Sequence, residues 1–383
     1  MPMWSQCQCL RRSSLTKKSF FWKQRAKPVF EQRRCRSAGV KIGNTCCFAA
    51  SELKSMAQTS SAVIASSGAV VSAREVAACI LCGEAIEKCV TNLFDTRFGI
   101  EGNYAVRRCL HCGFEQMFPV PTPAELKSLY ESHYNFGGER RTLYTNLRGW
   151  FFSSILYRLW IRVDGDVAFH SRKGVGHLLD VGCNEGRGLQ IYARNGFRVE
   201  GLELNQTAAA VAREGGSIVH TNDIGDLSAS TFYDVVVISN VLEHAPDPRQ
   251  MLRDICRKLK PGGQVWISCP NSRSWLRTVF GSFWINWHVP FHISHFSPET
   301  LNKLLRETGF ATVESRQITP AHWVTSSLIA KMFAKKGRPT RELRNPILVA
   351  ILLVLVRLVF FPALWLGNRW GRGDCLLVTA SKI

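Results

Sequence analysis

A glycine-rich turn between two apolar runs, at residues 178–204, restricts the fold of this chain more than any other segment. The first run (Leu178, Leu179, Val181) has the composition of a buried strand, and it leads into GCNEGRG at residues 182–188. Glycines in such a turn let a ligand approach the backbone, and a carboxylate about 20 residues later, here Glu203, can accept hydrogen bonds from ribose hydroxyls. The segment therefore predicts a βαβ unit with a nucleoside-binding site at the carboxyl ends of its strands.

The spacing of the glycines distinguishes two kinds of nucleotide site. Dinucleotide-binding folds use G-x-G-x-x-G, but counted from Gly182 the second and third glycine positions hold Asn184 and Arg187. The residues from 180 to 186 fit D-x-G-x-(G/N)-x-G instead. Further motifs follow in order: Asp223 with Ile224, the valine run 235–237, SNVLEH at 239–244 and LKPGG at 259–263 before a strand at 264–269. Over residues 177–271 the chain resembles class I S-adenosylmethionine-dependent methyltransferases.

This resemblance implies an α/β fold with a Rossmann-like sheet of seven strands, the last one antiparallel. It also implies S-adenosylmethionine as cofactor. The loop residues would approach its methionyl and ribose parts, with Asp180 supporting the loop, Glu203 on the ribose, Asp223 near the adenine and Asn240 lining the cleft. The cofactor-binding residues implied by the resemblance are Asp180, Gly182, Asn184, Gly186, Glu203, Asp223 and Asn240.

Two C-x-x-C-G knuckles, at 79–83 and 109–113, precede this region. Two residues between thiolates allow both sulfurs to face one ion, and the glycine lets the backbone curl around them. Four thiolates form a closed tetrahedral shell, which predicts a structural zinc site; a redox dithiol would need only one pair. The predicted ligands are Cys79, Cys82, Cys109 and Cys112. A ribbon followed by P-x-P-T-x-x-E-L resembles the N-terminal module of many bacterial methyltransferases of the type 11/23 group, often linked to cell-envelope glycan or lipid pathways.

Methyl transfer needs an in-line acceptor and, for a hydroxyl or protonated amine, a base. The histidine-rich run WHVPFHISHF at 287–296 and the earlier His244 supply candidates, because histidine titrates near neutrality. The alternative is that these histidines brace the helix start at Ser297 and Pro298. The predicted catalytic residues are His244, His292 and His295.

Of the net charge of +20, +18 lies in two basic segments near the ends of the chain. Residues 1–54 hold twelve Lys or Arg against two Glu, and residues 320–373 hold nine against Glu342. The catalytic core is therefore nearly neutral, which argues against nucleic acid as a partner. The leader lacks a secretory apolar run, so we expect reduced thiols. Its basic, acid-poor composition is compatible with an organelle transit peptide, but we favour a disordered segment or sequence upstream of a start at Met56.

An apolar stretch at 347–367 stands before the predicted last strand and, as a helix, would be about 30 Å long. A single crossing would separate that strand from its own sheet, and Arg357 would cost about 2.5–3.5 kcal/mol at the bilayer centre. We therefore expect either an in-plane or re-entrant helix, paired with the apolar segment 322–333, or a helix packed on the protein. The basic link between these segments suits anionic headgroups.

The predicted organisation, in chain order, is a disordered basic leader (1–75), a zinc ribbon (76–120), a helical linker (121–170), the methyltransferase core (171–319), an apolar and basic insert (320–373) and the last strand (374–383). The leading hypothesis is an S-adenosylmethionine-dependent methyltransferase with a small-molecule, glycan or lipid-linked acceptor, on the cytoplasmic face of a membrane as a peripheral or monotopic protein. The alternatives are an RNA-modifying methyltransferase and a non-catalytic scaffold that binds the cofactor.

Overall fold

The computed structural model describes residues 78–133, 149–152 and 154–383. The leader predicted at 1–75 lies outside the described residues, as does part of the predicted linker.

Eleven strands form two sheets in the described part of the chain. Their bounds are β1 Ile86–Leu93, β2 Tyr104–Cys109, β3 Glu115–Phe118, β4 His177–Val181, β5 Arg198–Leu202, β6 Ile218–His220, β7 Tyr233–Ser239, β8 Leu259–Pro270, β9 Ser294–His295, β10 Phe310–Ile318 and β11 Cys375–Lys382. The larger sheet has seven strands in the order β10-β11-β8-β7-β4-β5-β6. Strand β11 runs antiparallel to both of its neighbours, β10 and β8, whereas the pairs from β8 to β6 are parallel. This arrangement confirms the predicted α/β fold with an antiparallel last strand.

Nine helices of the described residues are α1 Pro123–His133, α2 Ile155–Asp164, α3 Arg187–Arg194, α4 Gln206–Glu214, α5 Pro248–Lys258, α6 Trp275–Phe280, α7 Pro298–Glu307, α8 Ala321–Phe333 and α9 Pro346–Arg369. The predicted start of α7 is confirmed, because Ser297 caps it and forms a reciprocal capping box with Thr300. Asn205 caps α4 with its side-chain oxygen, which accepts from the amides of Thr207 and Ala208.

The smaller sheet, in the order β1-β2-β3-β9, joins the N-terminal segment to the main domain. Strand β9 comes from the histidine-rich run, and it pairs with β3 so that Glu115 faces His295 and Gln116 faces Ser294. The domain boundaries remain predictions, but the pairing of β3 with β9 crosses the boundary predicted at residue 120.

Two predicted elements differ from the structure. The aromatic segment 150–161, within the predicted helical linker, is not one continuous helix, because Ser154 has extended backbone angles and α2 begins only after it. Strand β8 begins at Leu259 rather than at Gln264, because the predicted Pro-Gly-Gly turn is drawn into the strand, where the pairing with β7 is irregular.

Helix α9 lies against α8 along only one narrow face. Its buried residues are Val356, Leu364 and Gly367, and most of its other apolar side chains are exposed. Arg357 points toward the protein, where its guanidinium lies 3.6 Å from the carboxylate of Asp164 at the end of α2. The helix is therefore held to the domain by this ion pair, by a hydrogen bond from the Thr319 hydroxyl to the Asn368 side-chain oxygen at 2.6 Å, and by a thin apolar contact.

Candidate functional site

The predicted cofactor loop joins β4 to α3 and has the backbone that its glycines allow. Gly182, Asn184 and Gly186 all have positive φ, at 74°, 51° and 77°. A Cβ at Gly182 would come within 2.7 Å of Val241, and one at Gly186 within 2.8 Å of Ala212. These two positions therefore require glycine for space as well as for conformation.

Glu203 is bound to this loop from the end of the neighbouring strand. One of its carboxylate oxygens accepts a hydrogen bond from the Asn184 amide at 2.9 Å, and the other accepts from the Asn205 amide at 2.9 Å. Two backbone donors fix the carboxylate at the mouth of the loop. The structure thus brings Glu203 and Asn184 together, as their predicted shared role requires.

Asp180 lies beneath the loop at the end of β4. Burial, followed by the negative charge of Glu203, raises the pKa of its carboxyl to about 7. A Cβ on Gly188 would approach an Asp180 carboxylate oxygen to 3.0 Å, so the first turn of α3 lies directly on this side chain. This contact fits the predicted supporting role of Asp180.

Asp223 and Asn240 are the other two predicted cofactor-binding residues. They follow β6 and β7, the strands that flank β4 and β5. Asp223 is exposed and precedes a 3₁₀ turn after β6, near the sheet edge. Asn240 follows β7 with a φ of 54°, and its side-chain oxygen is buried without a hydrogen-bond partner among the described residues. Buried acceptors normally have a partner, so a water molecule or a ligand group could bind the Asn240 side chain at this position.

The loop occupies the point at which the order of the sheet reverses. Strand β4 pairs with β5 on one side and with β7 on the other, so the crossover helices depart in opposite directions. Ligands of open α/β sheets bind in the crevice outside the carboxyl ends of the strands at this point. The topology and the loop geometry therefore define the same cleft.

A cluster of histidines adjoins this cleft. His244 lies in a short turn after β7, and its ring centroid is 4.5 Å from that of His292 and 6.2 Å from that of His288. His295 is the most distant of the predicted catalytic residues, with 6.5 Å between its ring centroid and that of His292.

Backbone carbonyls fix the tautomers of two of these rings. Nδ1 of His244 lies 3.1 Å from the carbonyl oxygen of Phe291, and Nδ1 of His292 lies 2.8 Å from that of Asn286. Because a carbonyl only accepts, each Nδ1 carries the proton and each Nε2 has a free lone pair. Both rings are therefore able to accept a proton at Nε2.

Burial keeps the histidines neutral. It lowers the pKa of His244 to about 4 and that of His295 to about 3, and it lowers the pKa of His292 well below its ordinary value. His292 and His295 are buried, whereas His244 is partly exposed. Of the three predicted bases, His244 is thus the most accessible to an acceptor in the cleft.

Glu243 and Tyr130 also belong to this cluster, although neither was among the predicted site residues. Glu243 is 1% exposed, neither of its carboxylate oxygens has a hydrogen-bond partner in the described region, and burial raises its pKa to about 8. Ligand atoms of Glu243, His244 and His292 lie within 4.8 Å of one another, close enough for them to hold a metal ion. The Tyr130 hydroxyl, from α1, lies 2.9 Å from Nδ1 of His244. The adjacent His244 could have pointed to Glu243, but no local pattern points to Tyr130.

The four predicted zinc ligands converge at the tips of β1, β2 and β3. Their sulfurs all lie within 4.8 Å of one another, with separations of 3.7 Å for Cys79–Cys112, 3.4 Å for Cys82–Cys109 and 3.6 Å for Cys82–Cys112. A tetrahedron with metal–sulfur bonds of about 2.3 Å has edges of about 3.8 Å. Gly83 and Gly113 have the positive φ that the two knuckles were expected to need. The donor set and its geometry therefore fit one tetrahedral metal ion.

Comparison with known proteins agrees with this geometry. A family described as "Methyltransferase domain" matches residues 159–315. Two similar proteins are the ubiquinone biosynthesis O-methyltransferases of Erwinia tasmaniensis (37% identity, covering 30% of this chain and 51% of the relative) and Pectobacterium atrosepticum (31% identity, 38% and 65%). A solved S-adenosylmethionine-dependent methyltransferase from Archaeoglobus fulgidus is 20% identical with a TM-score of 0.37, covering 60% of this chain and all of that one.

The chain spans about half the length of the first of these curated relatives. The matched domain and the relatives support an S-adenosylmethionine-dependent methyltransferase.

Proposed function

We propose that this protein transfers a methyl group from S-adenosylmethionine to a hydroxyl of a small-molecule acceptor at a membrane surface. The observation that carries the proposal is the hydrogen bond between Glu203 and the Asn184 amide at the switch point of the sheet. When bound, the cofactor supplies an electrophilic methyl group on a sulfonium centre. The loop and Glu203 would hold its methionyl and ribose parts, and Asp223 and Asn240 would hold the adenine side and line the cleft.

We assign the role of base to His244. Its Nε2 lone pair is free, its ring is partly exposed, and it stands at the carboxyl end of β7 beside Asn240. The proton of the acceptor hydroxyl would move to Nε2 as the oxygen attacks, and Tyr130 and the Phe291 carbonyl would hold the ring in place. His292 and His295 would line the acceptor pocket.

The names of the relatives and the side chains around His244 support the proposed class of methyl acceptor. Those relatives are named as O-methyltransferases of ubiquinone biosynthesis, a small-molecule pathway. The uncharged base and the apolar rings of Phe98, Phe291 and Tyr130 around it favour a hydroxylated acceptor with apolar character over a highly charged one.

Helix α9 would place the enzyme on the membrane without crossing it. It is the one helix of the described residues that is long and apolar enough to span a bilayer, yet β10 before it and β11 after it pair in the same sheet. Leu358 is 73% exposed, whereas the neighbouring Arg357 turns inward to Asp164. The preceding link carries six basic residues, all exposed: Lys331, Lys335, Lys336, Arg338, Arg341 and Arg344. An apolar helix face beside cationic side chains is typical of a helix that lies in an anionic, cytoplasmic bilayer face.

Zinc is the metal that we assign to the four-cysteine site. Thiolates favour zinc, and a closed shell of four leaves no open position for catalysis, so its role would be structural.

A labelled methyl-transfer experiment tests the proposed function. The full chain would be incubated with S-adenosylmethionine bearing a deuterated methyl group and with cell extracts separated into lipid, small-molecule and RNA fractions. We expect the label in a hydroxylated small molecule that extracts into organic solvent, and much less label with the Glu203→Ala variant when the cofactor is kept at or below its wild-type Kd. Label in RNA alone, or no label in any fraction, would contradict the proposal.

A further inference from the structure

The metal-binding segment is continuous with the predicted acceptor site, not merely adjacent to it. Residues 284–297, called here the histidine loop, are all buried and contain His288, His292 and His295. The β3–β9 ladder ends within this loop, and the Met117 amide donates to the Ile293 carbonyl at 2.9 Å. The position of β3 therefore helps to set the position of the loop.

The metal site in turn sets the position of β3. The second knuckle spans the turn between β2 and β3, and Glu115 follows Cys112 by three residues. The Gln116 side chain binds the first knuckle, accepting from the Ile80 amide at 2.8 Å and donating to the Ala78 carbonyl at 3.2 Å. Loss of the metal ion would free the second knuckle and also the first knuckle, which Gln116 binds. A segment of about 40 residues has little core of its own to hold them in place.

Glu115 connects the ribbon to the loop through side chains as well. Its carboxylate is 3% exposed, accepts from Arg277 at 2.7 Å and accepts from Arg108 at 2.6 Å. The Arg277 guanidinium lies over the ring of Trp287, 4.7 Å from its centroid, and Trp287 packs on His295 with ring centroids 5.3 Å apart. A buried, charge-assisted contact of this kind holds the groups behind it in one arrangement.

This chain of contacts ends at the imidazole ring of His295. Both ring nitrogens of His295 are buried without a hydrogen-bond partner among the described residues. Such a group in a native fold calls for an explanation, and an acceptor bound beside the loop would supply one.

We propose that Glu115 is a positioning residue of the acceptor site and that the metal-loaded ribbon fixes the histidine loop through it. The ribbon then governs affinity for the acceptor but not for the cofactor, whose loop lies at β4 and β5. This inference rests on the proposed methyl transfer for its enzymatic consequence, although the mechanical coupling can be measured without it.

The coupling is tested by hydrogen–deuterium exchange of the full, zinc-loaded chain. In Glu115→Gln we expect at least about tenfold faster exchange in peptides covering 284–297, with residues 178–204, zinc content and cofactor affinity unchanged. Arg108→Met is the matched control, because Arg108 binds the same carboxylate from the solvent side, with 51% of its side chain exposed, and does not contact the loop. Unchanged exchange at 284–297 in Glu115→Gln, or equal effects of the two variants, would overturn the proposal.

Zinc removal from the wild-type chain provides an independent route if the variant does not fold. Chelation should accelerate exchange at 284–297 before it does so at 178–204, whereas simultaneous or reversed order would overturn the coupling. With an acceptor identified by methyl transfer, Glu115→Gln should raise its KM about tenfold and leave kcat and the KM of the cofactor unchanged. If the wild-type chain binds no S-adenosylmethionine but the exchange results hold, the proposed function fails while the coupling stands.

Discussion

At the scale of single residues, the protonation of Glu243 links the site to the stability of the protein. Burial raises its pKa from 4.5 to about 8 in the folded chain. A group whose folded pKa is raised contributes stability that is fully present below the unfolded pKa and is lost as the pH rises through the folded value. The loss is at most about 1.4 kcal/mol for each pH unit in this window.

We therefore expect Glu243→Gln to gain thermal stability relative to the wild type as the pH rises from 5 to 9, and to be the more stable of the two at pH 9. Glutamine keeps the shape of the protonated carboxyl but does not ionise. The comparison would be made with the zinc-loaded chain in buffer without other divalent cations, since a cation bound at Glu243 would favour the ionised form. A stability difference that does not change between pH 5 and pH 9 would mean that Glu243 is not the titrating group.

The proposed general base, His244, can be tested by a single substitution. Replacing His244 by Ala should lower kcat at least about 100-fold, because no side chain then takes the proton from the hydroxyl of the methyl acceptor. Cofactor affinity should stay the same. His111→Ala, at an exposed position in the second knuckle, is the control and should leave kcat unaltered. Retention of most of the activity by His244→Ala would move the role of base to His292 or His295.

The sequence was a good guide to residues whose partners are near in the chain. Glu203 and Asn184 are 19 positions apart, and the βαβ pattern predicts that they meet. Tyr130 and His244 are 114 positions apart and come from an N-terminal helix and a loop, so no periodicity relates them. Glu243 was overlooked because a lone acidic residue in a turn is usually solvated, and only the fold buries it.

At the scale of elements, strong local patterns predicted their structures well. Both knuckles, the capped start of α7, the long α9 and the antiparallel β11 lie where the sequence indicated. The two-residue strand β9 could not be predicted, since His295 and Ser294 pair with β3 only after the whole domain has folded. The break at Ser154 was missed because the aromatic run around it has helical composition throughout.

Membrane binding by the exposed apolar face of helix α9 can be tested by substitution. Leu358→Lys should weaken co-sedimentation with vesicles containing anionic phosphatidylglycerol by about tenfold, since it removes apolar burial at an exposed position. Val313→Lys adds the same charge at a residue on β10 that is 62% exposed, and it should bind as the wild type does. Equal losses in the two variants, or no vesicle binding by the wild type, would argue against the in-plane helix.

At the scale of the whole molecule, the cofactor cleft, the histidine loop and the ribbon form one connected arrangement. The sheet presents the loop after β4 and the turn after β7 at the same edge, and β9 ties the ribbon to the acceptor side. The methyltransferase class followed from the sequence because its motifs lie in consecutive βα units. The continuity of the ribbon with the core did not, because it depends on tertiary pairing between residues nearly 180 positions apart.

The most direct test of the account is a calorimetric titration of S-adenosylmethionine into the full chain. We predict micromolar binding by the wild type and a loss of about 10- to 100-fold in Glu203→Ala, which removes charge-assisted hydrogen bonds to the ribose. Glu214→Ala, at an exposed position at the end of α4, should bind as the wild type does. No binding by a folded, zinc-loaded wild-type chain, or equal binding by Glu203→Ala, would contradict the central claim that this cleft holds the methyl donor.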